Sequence, residues 1–303
     1  MRRGRERFCF TSKLQVFADQ TSTSGGMEGL VRSLWKETAF SAMRRQVWSF
    51  NVVKASQTSR SVRIFPIFTR VHITETYPGD RVAVEPGVPC GECFLCDNGR
   101  YNLCEDVQFA GVYPYHGTIQ RYFSHPAKWC HKLPDNVSFA EGALLEPLSV
   151  VMHGIKSAGL SLGRGAVICG AGPIGLIALA AARASGAHPL VITDLEPKRL
   201  EFARSFVPSA LTYQVDRNLD AEGNAKKIRG LFDFKNVGEY GAPEIVLECT
   251  GVESSVVTAA YTARRGGTVM VIGVGKQVMN NLPFMHLALG EVSKMSTISK
   301  SSC

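Results

Sequence analysis

The second half of the chain alternates short apolar runs with stretches of helical periodicity. Five runs have the length and composition of strands, at residues 166–169, 189–193, 210–215, 244–248 and 266–273. Helical patterns separate them, at residues 176–183, 196–206, about 220–231 and up to residue 263. This alternation is typical of a parallel sheet covered by helices on both faces. The pattern predicts an α/β, doubly wound domain, with no sixth strand in the polar residues past Val292.

The stretch from Tyr77 to Leu133 shows a different pattern, with short alternating runs separated by turn residues. Strands of an all-β lobe are predicted at residues 81–86, 117–123 and 129–133. The Ser138-Phe139-Ala140-Glu141 segment matches a capping box, in which serine and glutamate each bond the other's main chain. A helix is therefore predicted to begin there and to run through residues 144–148.

Composition limits the class of protein. The 303 residues, 45% of them hydrophobic, suffice for two domains with cores, and no apolar run approaches the roughly 20 residues that span a bilayer. The formal net charge is +8, but residues 1–70 hold 13 Lys and Arg against 4 Asp and Glu. The remainder is close to neutral, which disfavours binding to nucleic acid or to an anionic membrane. We expect a soluble, cytoplasmic protein.

Residues 1–70 are basic and rich in Ser and Thr, and they show no clear periodicity. Three interpretations stay open: an organellar transit peptide, a disordered extension, or a segment that is not native to this protein. We divide the chain into this atypical segment, a β lobe over residues 71–155, a nucleotide-binding domain over residues 156–292 and an irregular tail over residues 293–303.

A Gly-x-Gly-x-x-Gly run, formed by Gly170, Gly172 and Gly175, follows the first predicted strand and opens the first helix. Such a turn lets the main chain approach a pyrophosphate at the positive end of a helix. Asp194 ends the next strand, where an acid accepts hydrogen bonds from the adenosine ribose and repels the extra phosphate of NADP. The pattern predicts a Rossmann domain that binds NAD. The alternative is a glycine-rich turn in an ordinary βα unit with a surface aspartate.

Four cysteines, Cys90, Cys93, Cys96 and Cys104, lie within 15 residues. Two-residue gaps let consecutive thiolates face a common point, and four protein ligands make a closed tetrahedral zinc site without an open position for substrate. We predict a structural zinc in a reducing compartment. An iron–sulfur cluster and unligated or disulfide-paired cysteines are the alternatives.

Glu146 is an acid within the apolar Leu144-Leu145-Glu146-Pro147-Leu148 stretch. A buried carboxylate needs a cation or strong donors nearby, so Glu146 is a candidate metal ligand or proton-relay residue. An acid that simply favours the first turn of a helix is an equal alternative.

The order of these features resembles the zinc-dependent medium-chain dehydrogenases. Within that family it is most similar to the polyol branch, the sorbitol, xylitol and L-arabinitol dehydrogenases, over about residues 78–292. The resemblance implies a Rossmann sheet with a partial GroES-like all-β lobe that carries the structural zinc loop, and an NAD-dependent oxidation of a secondary alcohol to a ketose. It implies that Glu146 is a catalytic zinc ligand and that NAD contacts Pro173, Ile174, Asp194, Arg199 and Ile272.

The chain also departs from this family. The Cys-Gly-Ser-Asp and Gly-His-Glu segments that supply further catalytic zinc ligands do not occur in it, nor does the family's C-terminal portion. We therefore expect a polyol dehydrogenase sequence with both ends lost or misread. A catalytically silent protein that binds NAD and zinc is the alternative, and a zinc module that binds nucleic acid is a third hypothesis. The expected partner is a small polyol, with a homo-oligomer left open.

Overall fold

A computed structural model describes residues 79–120, 122–232 and 238–297, together with two short strands nearer the N-terminus. It divides the chain into two compact units, one ending at Glu146 and the other beginning at Pro147. The three interpretations of residues 1–70 fall almost wholly outside the described residues. The predicted domain bounds stay predictions.

The first unit contains a five-stranded antiparallel sheet. Its strands are β1 (Leu14–Gln15), β2 (Val53–Ala55), β3 (Arg81–Val84), β6 (Tyr122–Phe123) and β7 (Cys130–Lys132), in the spatial order β6-β1-β2-β3-β7. Strands β4 (Gly87–Val88) and β5 (Gln108–Phe109) form a separate hairpin. The predicted all-β character is confirmed, although the strands are shorter than their patterns because turns interrupt them.

The unit also contains a one-turn helix α1 (Phe94–Asp97) within the cysteine-rich loop. The predicted capping box is confirmed, because Ser138 and Glu141 exchange side-chain and main-chain hydrogen bonds at the start of α2. The single helix predicted from this point is wrong. Helix α2 (Phe139–Gly142) ends after one turn, and α3 (Leu145–Ala158) begins separately. A capping box marks where a helix begins and carries no signal for where it ends.

The second unit is a parallel sheet with helices between successive strands. Its strands are β8 (Ala166–Cys169), β9 (Leu190–Asp194), β10 (Leu211–Gln214), β11 (Ile245–Glu248), β12 (Thr268–Val271) and β13 (Ser293–Thr297). The spatial order is β10-β9-β8-β11-β12-β13. The intervening helices are α4 (Pro173–Ala184), α5 (Pro197–Phe206), α6 (Ala221–Arg229), α7 (Glu253–Thr262) and the short α8 (Phe284–Leu289). The predicted doubly wound fold is confirmed. The strand order reverses between the paired strands β8 and β11, which is where such folds bind ligands.

Strand β13 corrects one expectation. Residues past Val292 were expected to form an irregular tail without a sixth strand, but Ser293–Thr297 pairs with β12 in parallel register. Its Ser, Lys and Thr composition does not show the apolar alternation of a half-buried strand. At the edge of a sheet, main-chain hydrogen bonds can place such a segment without that alternation.

The core of this unit lies on both faces of the central strands. β8 and β11 are buried along their whole length, which explains why their sequences are apolar apart from Glu248 at the end of β11. One buried cluster joins Val167, Val246 and Val269 to Ile228 and Val256 of the covering helices. In the described part of the chain, no helix has the length and apolar character required to cross a membrane.

Candidate functional site

Four cysteine sulfurs meet in the loop between β4 and β5. Cys93 and Cys96 lie at the start and within the single turn of α1, and Cys104 directly follows a 3-10 turn. The four Sγ atoms, including that of Cys90, all lie within 4.8 Å of one another, and the four thiols are free. The structure therefore brings together all four predicted structural ligands.

The spacing of these sulfurs fits a single tetrahedral ion. A zinc ion with sulfurs at about 2.3 Å has S–S edges of about 3.8 Å. The observed separations are 3.9 Å for Cys90 and Cys96 and 3.5 Å for Cys93 and Cys96. A disulfide would need about 2.05 Å, and a multi-iron cluster needs more room between its thiolates. A main-chain hydrogen bond from Cys96 lowers the pKa of Cys93 to about 7, whereas burial raises the pKa of Cys96 to about 12. The spacing of the sulfurs is therefore what supports a metal site.

A partly buried hydrogen-bond network connects the cysteine loop to the β sheet. Tyr101, in the 3-10 turn before Cys104, donates from its hydroxyl to Glu85 Oε1 at 2.9 Å. Glu85 directly follows β3, and its Oε2 lies 3.0 Å from His131 Nε2 in β7. The Tyr101 ring also packs on Trp129 with a centroid distance of 5.2 Å. One carboxylate thus links the metal loop to two strands.

The glycine turn follows β8, and a different steric or conformational property distinguishes each of its three glycines. Gly170 has φ +98°, and a Cβ on it would lie 2.6 Å from Thr250 Cγ2. A Cβ on Gly175 would lie 1.7 Å from the Gly170 carbonyl oxygen, so this glycine permits the close approach of helix and strand. Gly172 has the ordinary φ of −80°, and no protein atom lies within 4 Å of its Cβ position. The space beside Gly172 is therefore open to a ligand that approaches its main chain.

Asp194 ends β9 beside this turn, and its side chain is only 9% exposed. Its Oδ2 accepts a hydrogen bond of 2.8 Å from the Ala171 main-chain N–H, and its Oδ1 accepts one of 2.8 Å from Glu196. Arg199 Nη1 lies 3.7 Å from Oδ2. Two main-chain donors and a cation therefore fix the carboxylate at the carboxyl end of the sheet, where its remaining lone pairs can accept hydroxyl groups.

The remaining predicted contacts fall on the same edge of the sheet. Pro173 and Ile174 are the first residues of α4 and are partly exposed, whereas Ile272 follows β12 and is 5% exposed. Their contact with NAD stays a prediction.

Glu146 is the second residue of α3 and is partly buried. Among the described residues, the four cysteines form the one group of three or more side chains that could hold a metal ion. The structure does not gather a further set of ligands around Glu146 within the part of the chain that it describes. The assignment of Glu146 to a catalytic zinc therefore still depends on the resemblance.

Sequence reasoning gave no individual role to Glu248 or to the glycines that follow it, although it placed the Ile272 contact just after β12. Glu248, the last residue of β11, is fully buried, and its carboxylate organises the next three residues. A Cβ on Gly251 would lie 2.5 Å from the carbonyl carbon and oxygen of Val274, so the two loops touch through their main chains. Gly251 and Gly275, each just beyond a predicted strand, and Gly273, at the end of one, are the signal that could have indicated this contact.

Two family models match the chain. The model described as zinc-binding dehydrogenase matches residues 173–302, and the model described as alcohol dehydrogenase GroES-like domain matches residues 69–135. Together they cover well over half of the chain and both compact units.

The curated relatives are also dehydrogenases. An L-arabinitol 4-dehydrogenase from Aspergillus oryzae is 52% identical over 225 residues, which is 73% of this chain and 58% of the relative. A sorbitol dehydrogenase from Bos taurus is 44% identical over 215 residues, with 71% and 58% covered. The solved structure of L-idonate 5-dehydrogenase from Escherichia coli is similar with a TM-score of 0.63 and 27% identity, over 80% of this chain and 63% of that one. The chain thus spans somewhat more than half the length of the curated relatives that it matches.

Proposed function

Because the chain belongs to the zinc-containing medium-chain dehydrogenases, in their polyol branch, we propose that it serves the NAD-dependent oxidation of a polyol. In this reaction a secondary alcohol loses a hydride and a proton and becomes a ketose. The observation that carries the proposal is the pairing of Gly172, which leaves its Cβ position open, with Asp194, which is held beside it. The relatives named for L-arabinitol and sorbitol make these polyols the first substrates to test.

Different residues of the chain bind different parts of the dinucleotide. Gly170, Gly172 and Gly175 shape the turn that admits the pyrophosphate, and the N-terminus of α4 offers main-chain N–H groups to it. Asp194 accepts the adenosine ribose hydroxyls and disfavours NADP, because a 2′-phosphate would meet a carboxylate. When bound, NAD supplies the hydride acceptor and a catalytic zinc supplies a Lewis acid for the substrate hydroxyl.

The metal roles are proposed separately for the two kinds of ligand. Cys90, Cys93, Cys96 and Cys104 would hold a structural zinc, which the sulfur spacing supports. Glu146 would serve the catalytic zinc by analogy with the family. Four free thiols poised for metal binding favour a reducing compartment, and we propose the cytoplasm.

The alternative is a protein of this family that binds NAD and the structural zinc without turnover. It is favoured by one observation: the 303 residues contain neither the Cys-Gly-Ser-Asp nor the Gly-His-Glu segment that supplies further catalytic zinc ligands in this family.

Metal content and turnover measured together distinguish the two. Zinc per chain would be determined by mass spectrometry, and NADH formation followed by absorbance with L-arabinitol or sorbitol. Two zinc ions with NAD-dependent turnover support the dehydrogenase, and NADP in place of NAD should support little reaction. One zinc with NADH binding and no turnover supports the alternative, and an absence of NADH binding would overturn both.

A further inference from the structure

The side chain of Glu248 is a carboxylate that the proposed function does not use. It is fully buried, at the carboxyl end of β11. Its described partners are neutral donors: the main-chain N–H groups of Thr250 and Gly251, each at 2.9 Å, and the hydroxyls of Thr250 and Ser255, the latter at 2.8 Å. Burial of a charge at the centre of a domain is costly, so a carboxylate surrounded by four donors points to a specific structural task.

The first residue that these hydrogen bonds hold in place is Thr250. Its hydroxyl donates to Glu248 Oε1 and accepts from the Val252 main-chain N–H at 3.0 Å, which fixes the side-chain rotamer. In this orientation the Thr250 methyl group faces Gly170, since a Cβ built there would lie 2.6 Å from Cγ2. Glu248 therefore fixes, through Thr250, the side chain that packs against Gly170 in the glycine turn.

The second residue that Glu248 holds in place is Gly251, which has φ +71° and donates its N–H to Glu248 Oε2. A Cβ on Gly275 would lie 1.8 Å from the Gly251 carbonyl oxygen, and a Cβ on Gly273 would lie 2.0 Å from the Gly251 nitrogen. The loop after β12 therefore packs on a main chain whose course Glu248 sets. The β12 strand end is also tied to the same residue, because Ile272 N–H donates to the Glu248 carbonyl at 2.7 Å.

We propose that Glu248 is a positioning residue for the dinucleotide site. Its carboxylate holds residues 249–252 in the one arrangement that supports both the glycine turn after β8 and the loop after β12. The inference deepens the proposed function and rests on it, because the affinity that it predicts is for a nicotinamide dinucleotide.

The requirement is for a carboxylate and not only for a side chain of this shape. Both oxygens face main-chain N–H groups, which cannot rotate away. A glutamine at 248 would direct its NH2 group at Gly251 N–H in one orientation and at Thr250 N–H in the other. Either orientation sets a donor against a donor and leaves a buried group unpaired.

The decisive comparison is Glu248→Gln against Ile228→Val, with the NADH dissociation constant measured by NADH fluorescence well below the unfolding midpoint. Ile228 is a fully buried residue of α6, away from the carboxyl edge, and its truncation gives a modest loss of stability. We expect E248Q to weaken NADH binding roughly tenfold or more, and I228V to leave it unchanged. Equal affinity of E248Q and the unmodified protein, or an equal loss in both variants, would overturn the inference.

A second pair keeps the test valid if E248Q does not fold. Thr250→Val retains the shape of the side chain but removes the hydroxyl, and Thr250→Ser retains the hydroxyl. We expect T250V to lose NADH affinity severalfold and the serine variant to recover most of that loss. Unchanged affinity in T250V would contradict the role of Glu248. Failure of the unmodified protein to bind NADH would instead refute the proposed function, which is a separate result.

Discussion

The Ala171 main-chain N–H donates a hydrogen bond of 2.8 Å to Asp194 Oδ2. These two residues are 23 positions apart, one in the glycine turn and the other at the end of the neighbouring strand β9. The acid that we propose selects the ribose therefore also fixes the loop that we propose admits the pyrophosphate. Selectivity and loop geometry are therefore coupled through one carboxylate.

The coupling predicts that Asp194→Asn weakens NAD binding beyond the loss of ribose contacts. Its NH2 group would face either Ala171 N–H or Glu196 N–H, because each carboxylate oxygen accepts from one of them. An unpaired donor costs about 1–3 kcal/mol, so the NAD dissociation constant should rise about fivefold to 150-fold. NADP affinity should rise little, because the turn itself is loosened. Isothermal titration with both dinucleotides measures each effect.

Asp220→Asn is the matched control for this substitution. Asp220 also accepts a main-chain N–H, from Gly223 at the start of α6, but it is exposed and caps a helix, a position where asparagine is equally suitable. NAD affinity should not change in D220N. A gain of strong NADP binding in D194N would argue against the coupling.

The glycine turn predicts opposite effects for two alanine substitutions. Gly172→Ala meets no protein atom and keeps an ordinary backbone conformation, so thermal stability should be unchanged or raised by about 0.4–1 kcal/mol. Its NADH affinity should fall, because the methyl group occupies the space proposed for the pyrophosphate. Gly175→Ala places a Cβ 1.7 Å from the Gly170 oxygen and should lower stability directly. Thermal unfolding and NADH titration of both variants check this; tight NADH binding by G172A would refute the proposed approach.

The cysteine cluster predicts a metal-dependent stability that differs between two buried cysteines. Cys104→Ser removes one of four ligands and should reduce bound zinc and lower the unfolding midpoint. Cys130→Ser is the control, because Cys130 is equally buried in the same unit but lies outside the cluster, and burial raises the pKa of its thiol to about 11. Zinc content should stay the same in C130S. Loss of zinc in both variants would contradict the assignment of the four ligands.

The Glu85 network predicts a pH dependence. The hydrogen bond to Glu85 raises the pKa of His131 above its usual value, so the pair stabilises the fold below about pH 6.5 and loses this contribution as the pH rises through the folded-state pKa. The contribution should be at most about 0.5 kcal/mol, because the imidazole is half exposed. The stability difference between the unmodified protein and His131→Gln should therefore be larger near pH 5.5 than near pH 8.5.

The same exchange at exposed His116, which lies outside the Glu85–His131 pair, is the matched control for that measurement. Nearby His125 acts in the opposite sense. Burial lowers the pKa of His125, so its contribution is present above about pH 6.5 and is lost as the pH falls through the folded-state pKa. A difference for H131Q that does not vary with pH would exclude the Glu85–His131 pair as its source.

The sequence predicted those features that local residue patterns encode. The continuous burial of β8 and β11 produces apolar runs, and the chemistry of the turn requires Gly170 and Gly175 at fixed positions. Strand β13 was missed because pairing at a sheet edge depends on the main chain of its neighbour and not on its own side chains.

The roles of Glu248 and Glu85 were missed for another reason. Each carboxylate finds its partners at different distances along the chain: Glu248 bonds residues two to seven positions away, and Glu85 bonds residues 16 and 46 positions away. No periodic pattern records such contacts. A charged residue at the end of an apolar strand indicates a candidate, but its partners become known only once the fold brings them together.

The main-chain contact between Gly251 and Gly275 has a consequence for protein engineering. Because no side chain fits at this contact, substitutions at these glycines would disrupt the wall of the site before they could alter its selectivity. Val252 and Val274 are the neighbouring positions with side chains directed to solvent, at 55% and 72% exposure. Libraries that aim to change coenzyme preference should therefore randomise these two valines and should keep the glycines invariant.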